Sequence, residues 1–324
     1  MRAVELTGFN GLESLRVVDV DRPTPATGQL LIEVKAAGIN FAELELTKGR
    51  YSTGKTPPFI MGFEAAGVVR ELGPGANHFK VGDKVTGIVF SGGFAEFATA
   101  ESTMAIPIPD GISFAQATTI PIQGVSAYLL LHCAAKPQPN QSLLIQSAAG
   151  GVGLYLVQLA RIMGVKQIIA LASGREKIEL VRSLGAHLAI DYSEPGWAGK
   201  VREATGGSGV NVLLEAASGE VGKLSFELLA PFGRMVMFGA QNVHDTFSPD
   251  QIKQLIYKNQ TILGFNIPTF PAEQIAKSVP ELLGLIRGGK LRLFAENQFE
   301  LANVREAFEA LAGRKTIGRV VLIP

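Results

Sequence analysis

The sequence predicts an α/β protein of two domains: a β-rich barrel or sandwich, then a parallel, doubly wound sheet. Three observations carry this. Up to about Pro121, short apolar runs are broken by glycines and prolines, the mark of many short strands. From about Gly124, strand-like and helix-like segments alternate, as parallel strands require because each crossover uses a helix. The length, 324 residues of which 47% are hydrophobic, suits two domains with sizeable cores.

In chain order, Ala3–Leu6, Leu15–Val20 and Leu30–Ala36 read as strands, punctuated by Pro23, Pro25 and Gly28. Ala65–Leu72, Lys84–Phe90 and Ala95–Ala100 continue the pattern, with turns at Gly73-Pro74-Gly75 and Val81-Gly82-Asp83. In the second part, Leu143–Gln146, Gln167–Leu171, Leu188–Ile190, Val210–Leu214 and Arg234–Phe238 are expected strands. Helices are expected between them at Gly151–Met163, Glu176–Leu184, Lys200–Ala204 and Val221–Leu229. Thr261–Phe265 adds a sixth strand and Ala272–Arg287 a helix. Arg319–Ile323 is a final strand, expected to rejoin the first domain.

Composition excludes several classes of function. Charge is balanced, 30 Lys+Arg against 29 Asp+Glu, with no basic block, so nucleic acid is not an expected partner. No stretch reaches the roughly 18 consecutive apolar residues of a membrane span, and Met1-Arg2-Ala3-Val4-Glu5 does not open a signal peptide. The single cysteine, Cys133, allows neither an intramolecular disulfide nor a thiolate zinc cluster. A soluble, cytoplasmic protein is the simplest expectation. His78, His132, His187 and His244 are scattered without ligand spacing. Cys133 follows His132 directly, and neighbours on a helix do not face each other, so they are not read as nucleophile and base.

The most informative stretch begins at Leu143-Leu144-Ile145. It leads into Ala148-Ala149-Gly150-Gly151-Val152-Gly153, then into apolar positions at helical spacing, Val152, Leu156, Leu159 and Met163. Strand, glycine turn and helix in that order form the context of a dinucleotide-binding fingerprint. The glycines let the backbone approach a pyrophosphate, and the helix N-terminus turns free N–H groups toward its charge. Ala149, Gly150, Gly151 and Val152 are the candidate contacts. Ala148 fills the slot usually held by the first glycine, so the turn differs slightly. An NAD site places Asp or Glu at the end of the second strand, about 20 residues on; here that point reads Ala172-Ser173-Gly174-Arg175. Ser173, Gly174, Arg175 and Lys177 offer donors and positive charge suited to a 2′-phosphate. The prediction is NADPH over NADH, with Glu176 working against it.

Further motifs carry a resemblance. They are Ala37-Gly38-Ile39-Asn40-Phe41, Lys48-Gly49-Arg50-Tyr51, Met61-Gly62-Phe63-Glu64-Ala65-Ala66-Gly67, Val81-Gly82-Asp83-Lys84-Val85 and Gly92-Gly93-Phe94-Ala95-Glu96, with the glycine turn itself. Along nearly its whole length the chain resembles the zinc-independent quinone oxidoreductases of the medium-chain dehydrogenase/reductase superfamily. The resemblance implies a GroES-like catalytic barrel of residues 1–122 and 266–324 and a Rossmann domain of residues 123–265. It implies the nicotinamide in the cleft between them and a homodimer joined through the Rossmann domain. Zinc relatives carry a cysteine early in the barrel and a histidine in a Gly-His-Glu segment; here those places read Gly38-Ile39-Asn40 and Gly62-Phe63-Glu64. Without a Lewis acid, hydride addition to a quinone or conjugated enone is easier than alcohol dehydrogenation.

Asn40 and Tyr51 are the catalytic candidates. The Asn40 amide would donate to a substrate carbonyl as it becomes an enolate, and Tyr51 would supply a proton. Asn40 is also a natural helix N-cap, and the two roles are compatible. Glu45 is expected to make the mouth of the site acidic, and Glu64 to anchor the barrel. By resemblance Ser126 contacts the nicotinamide amide and Tyr192 lies beside the 2′-phosphate, with Asp191 next to it an unhelpful charge. Phe238-Gly239-Ala240 and Phe265-Asn266-Ile267 line the nicotinamide pocket. Arg319 either reaches the cofactor from the tail or is a surface cation. The leading reading is NADPH-dependent reduction of quinones or of the C=C bond of enones. The alternative is an NADPH-binding sensor or structural module with little turnover.

Overall fold

A computed structural model describes residues 1–89, 92–239 and 248–324; the ends of two expected features, Phe90 and Ala240, and His244 lie outside them. The chain divides into two units, Met1–Gln123 with Leu283–Pro324, and Gly124–Leu282.

The first unit opens with β1 (Arg2–Leu6), β2 (Leu15–Asp19), β3 (Gln29–Ile39), helix α1 (Phe41–Thr47), β4 (Phe59–Ile60), β5 (Glu64–Leu72), β6 (Lys84–Ile88), β7 (Phe97–Glu101), β8 (Ala105–Pro107) and α2 (Phe114–Ala117). The second contains α3 (Val125–Leu129), β9 (Ser142–Ile145), α4 (Gly151–Ile162), β10 (Gln167–Ala172), α5 (Arg175–Leu184), β11 (Leu188–Asp191), α6 (Trp197–Ala204), β12 (Val210–Glu215), α7 (Gly219–Glu227), β13 (Leu229–Met237), α8 (Pro249–Lys258) and β14 (Thr261–Gly264). Helix α9 (Ala272–Arg287) leads back to the first unit, which ends with β15 (Asn297–Glu300), α10 (Val304–Ala312) and β16 (Val320–Ile323).

In the first unit β15, β16, β3, β5, β6 and β8 follow one another in a sheet, with β7 also on β3, while β2-β1-β4 forms a smaller sheet. β3 is buried along most of its length, so its apolar run reads as a central strand rather than an alternating one. Leu6, Leu30, Ile32, Phe94, Phe308 and Leu322 pack in its core. The tail closes this unit, because β16 pairs antiparallel with β3, Val321 opposite Gly38.

The second unit is a parallel sheet in the order β11-β10-β9-β12-β13-β14. The order reverses between β9 and β12, the topological switch point where such sheets bind ligands beyond the strands' carboxyl ends. Leu144, Ile169, Leu213, Phe226 and Met235 fill one of its cores. Helices α1, α2, α3, α8 and α10 and strands β4, β8 and β15 lie outside the expected elements. The start of α8 is nonetheless written in the chain: Ser248 caps it, Pro249 takes the first turn and Gln251 closes a capping box.

Candidate active site

In the first unit, the chain leaves β3 at Asn40, which caps α1 in a capping box with Glu43. Glu43 accepts from the Asn40 backbone N–H at 2.7 Å and from the Phe63 N–H at 2.8 Å. The Asn40 side chain is held on three sides. Its Nδ2 donates to Glu64 Oε1 at 2.8 Å and, more weakly, to Glu43 Oε2 at 3.3 Å. Its Oδ1 accepts from Arg319 at 2.7 Å, and Arg319 also donates to Glu64. Glu43, Glu64 and Arg319 are wholly buried, while Asn40 is half-buried. A Cβ on Gly38 would overlap the Arg319 guanidinium, so only glycine lets the tail place a cation under this strand.

Two expectations are corrected here. Arg319, expected to touch the cofactor or to lie on the surface, is buried and committed to Asn40 and Glu64. Glu45 does not acidify a mouth: it is 3% exposed and pairs with Lys48 at 2.9 Å. Tyr51 is half-buried, its ring tilted against Phe63 with centroids 6.1 Å apart. Burial, and then the Glu43 charge, raise its pKa. Burial pushes Glu43 up to about 8, against the backbone N–H of Asn40 and the Arg319 charge. Burial raises Glu64 as well, with Arg319 and Asn40 pulling it down.

In the second unit, β9 ends at a turn that gives α4 its N-terminus. Ala149 is buried; Gly150, the N-cap, and Gly151 and Val152 are half-buried. A Cβ on Gly153 would overlap the Ser147 carbonyl, so that glycine sets how closely the turn folds onto the helix. Beside it, Gln146 Oε1 accepts from Ala216 and Ala217 at 3.0 and 2.9 Å. Glu215 Oε1 accepts from Ala217 and Ser218 at 3.1 and 2.6 Å. These two side chains shape the loop after β12 and were missed in the sequence; each leaves a buried atom, Gln146 Nε2 and Glu215 Oε2, without a protein partner.

At the end of β10, Ser173 is half-buried and Gly174 exposed with φ +84°. Arg175 is 91% exposed and pairs with Glu179 at 2.7 Å; Lys177 and Tyr192 are half-buried. Asp191 does not stand free: it accepts from the Gly174 N–H at 2.7 Å and from the Ser193 N–H and hydroxyl at 2.9 and 2.5 Å. Against the cost of burial, those donors hold its carboxyl below the usual range. Ser126 is buried on α3. Phe238 and Gly239 follow β13; a Cβ on Gly239 would meet the Ala216 carbonyl at 2.7 Å. Phe265 follows β14 and leans on Phe270 with centroids 5.1 Å apart, and Ile267 is two residues on. His132 and Cys133, expected to diverge, both line a pocket of about 390 Å³ with Lys136 and Asn266. The segment carrying them, Leu130–Ala135, is wound as a wider π-helix.

Residues 26–110 match the alcohol dehydrogenase GroES-like domain and residues 151–286 the zinc-binding dehydrogenase domain. A quinone oxidoreductase of Pseudomonas aeruginosa is 31% identical over 100% of this chain and 99% of its own. The chain belongs to the quinone oxidoreductase family. Among other relatives, the synaptic vesicle membrane protein VAT-1 homolog of Danio rerio is 29% identical over 99% of this chain and 69% of its own. The crystal structure of Escherichia coli quinone oxidoreductase complexed with NADPH superposes with a TM-score of 0.91 at 28% identity, covering 100% of both chains.

Among the described residues no three of His, Cys, Asp and Glu converge as a set of metal ligands would. A dinucleotide fits. The turn before α4 closes only because Gly153 lacks a Cβ, Gly239 lets its backbone pack directly on that of Ala216, and Gln146 Nε2 is an unspent buried donor at the switch point. No described helix is long and apolar enough to cross a membrane.

Proposed function

We propose that this oxidoreductase reduces quinones, or the C=C bond of α,β-unsaturated carbonyls, with NADPH and without a metal ion. The observation that carries the reading is the half-buried Asn40 amide, fixed by Glu64 and Arg319. Bound NADPH supplies a hydride. Gly150, Gly151 and Val152 would hold its pyrophosphate at the α4 N-terminus, with Ala149 beside them. Ser173, Gly174, Arg175, Lys177 and Tyr192 would hold its 2′-phosphate, and Ser126, Phe238, Gly239, Phe265 and Ile267 its nicotinamide.

On the substrate, the Asn40 hydrogen in the weaker 3.3 Å contact turns to the carbonyl oxygen as that oxygen gains charge. Such a donor contributes on the order of 10²-fold in rate. The Tyr51 hydroxyl then delivers a proton to the oxyanion or its conjugate carbon.

The enzyme acts as a cytoplasmic homodimer. Among the described residues β14 has a strand partner on one side only, and Ile256 and Tyr257, in the helix that precedes it in the chain, are 78% and 82% exposed, which supports pairing through this part of the unit. Sedimentation should give a dimer; a monomer at micromolar concentration overturns this. The activity is tested by following NADPH and NADH oxidation across quinones, enones and enoyl thioesters, with and without EDTA. Turnover that prefers NADPH and is indifferent to EDTA supports the reading. Tight NADPH binding with no turnover on any acceptor would replace it with that of a nucleotide-binding module.

A further inference from the structure

Around Asn40 the first unit buries two carboxyl groups, Glu43 and Glu64, against one guanidinium, Arg319. Two carboxyl groups approach the same amide nitrogen, Glu64 Oε1 at 2.8 Å and Glu43 Oε2 at 3.3 Å, and the Arg319 guanidinium bonds only the first of them. All three charged side chains are wholly buried. In a low-dielectric site two like charges so close do not both ionise. Arg319 is hydrogen-bonded to Glu64 and not to Glu43, so Glu64 is the ionised member.

We propose that Glu43 is a neutral carboxylic acid at neutral pH, and that its proton leaves one hydrogen of the Asn40 amide free for the substrate. A neutral carboxyl is the weaker acceptor; an ionised one draws a charge-assisted hydrogen bond of roughly twice the strength and captures that hydrogen. Loss of the proton also leaves a net negative charge where the substrate's oxyanion forms. Glu43 is thus a positioning residue, acting through Asn40. The inference rests on the role proposed for Asn40, but its proton can be observed without any turnover.

The groups acting on Glu43 are few. Arg319 and Glu64 face it from the tail and from β5, and the Tyr51 hydroxyl feels its charge. α1 also packs on the turn Gly11–Ser14 and on α10, whose Glu13, Glu306 and Glu309 are exposed and whose Arg305 pairs with Glu13 at 3.6 Å. None of these supplies Glu43 with a second cation. Burial shifts the carboxyl in the same sense, to about 8.

An acid whose folded pKa is raised binds its proton more tightly when folded, so stability falls as pH rises from the unfolded value, about 4.3, to about 8, and is then level. The primary test is infrared difference spectroscopy of the intact wild-type protein without cofactor or substrate, titrated from pH 6 to pH 9. A protonated-carboxyl band that bleaches near pH 8 and is missing in Glu43→Gln is expected. No such band in the wild type, or a band that persists in Glu43→Gln and vanishes in Glu64→Gln, overturns the proposal. If Glu43→Gln does not fold, the wild-type titration alone decides whether a buried carboxylic acid exists there, and Glu43→Asp with a shifted midpoint assigns it. In turnover, wild-type kcat should drop about tenfold per pH unit above the same midpoint, with KM for NADPH unchanged. Glu43→Gln should lose that limb. A band with the expected titration but no matching limb in kcat would keep the stored proton and overturn its link to Asn40.

Discussion

The two units build their candidate sites by opposite means. In the second, a ligand would be met mainly by backbone: a turn without side chains at Gly150 and Gly151, a helix end, and a loop fastened by Gln146 and Glu215. In the first, the site is a side-chain lattice, Asn40 gripped by Glu43, Glu64 and Arg319. Backbone donors are fixed once the strand and helix exist. A buried lattice of charges is fixed only when every partner is present, and losing one leaves another desolvated and unpaired. The first site should therefore break abruptly and the second by degrees.

The largest effect is expected at Gly38. In Gly38→Ala the methyl group displaces the Arg319 guanidinium and strands Glu64, a loss of about 3–5 kcal/mol that chemical denaturation would read. A loss within about 1 kcal/mol, the size of an ordinary exposed ion pair, would mean the lattice is not cooperative. Asn40→Ala comes next, with kcat down about 100-fold, equivalent to about 2.7 kcal/mol of barrier, on a folded protein. Gly153→Ala presses a methyl group on the Ser147 carbonyl; overpacking of about 1–3 kcal/mol should weaken NADPH binding about tenfold or more, measured by fluorescence titration. Arg175→Ala is the smallest. Arg175 is 91% exposed and already paired with Glu179, so the preference for NADPH over NADH should fall only about two- to fivefold, and less at high salt.

The same contrast explains what could be read in advance. The glycine turn, its strand and its helix are contiguous, so local sequence specifies them, and the alternation that follows foretells the doubly wound sheet. Asn40 was legible too, as a polar residue closing an apolar strand. Its support was not. Arg319 lies 279 residues from Asn40 and 255 from Glu64, and nothing around Gly318-Arg319-Val320 distinguishes a buried cation from a surface one. The decisive mark sits elsewhere, in the absent side chain of Gly38, and means something only once β16 is known to lie against β3. Glu45, expected at an acidic mouth, was misjudged for a similar reason: nothing local shows that it is buried and paired with the lysine three residues on. α8 differs again: its capping box is plain in Ser248-Pro249-Asp250-Gln251 and Ile252, Leu255 and Ile256 repeat at helical spacing behind it, so this helix is legible from local sequence alone.

The division of labour between the units is tested most directly by measuring two quantities on two variants. NADPH affinity and the single-turnover rate of NADPH oxidation by a quinone at saturating NADPH would be compared in Asn40→Ala and Gly153→Ala. A crossed result is expected: Asn40→Ala keeps wild-type affinity and loses about 100-fold in rate, whereas Gly153→Ala loses affinity and, once saturated, keeps a rate near wild type. Equal losses of affinity in both variants, or an unchanged rate in Asn40→Ala, would contradict it.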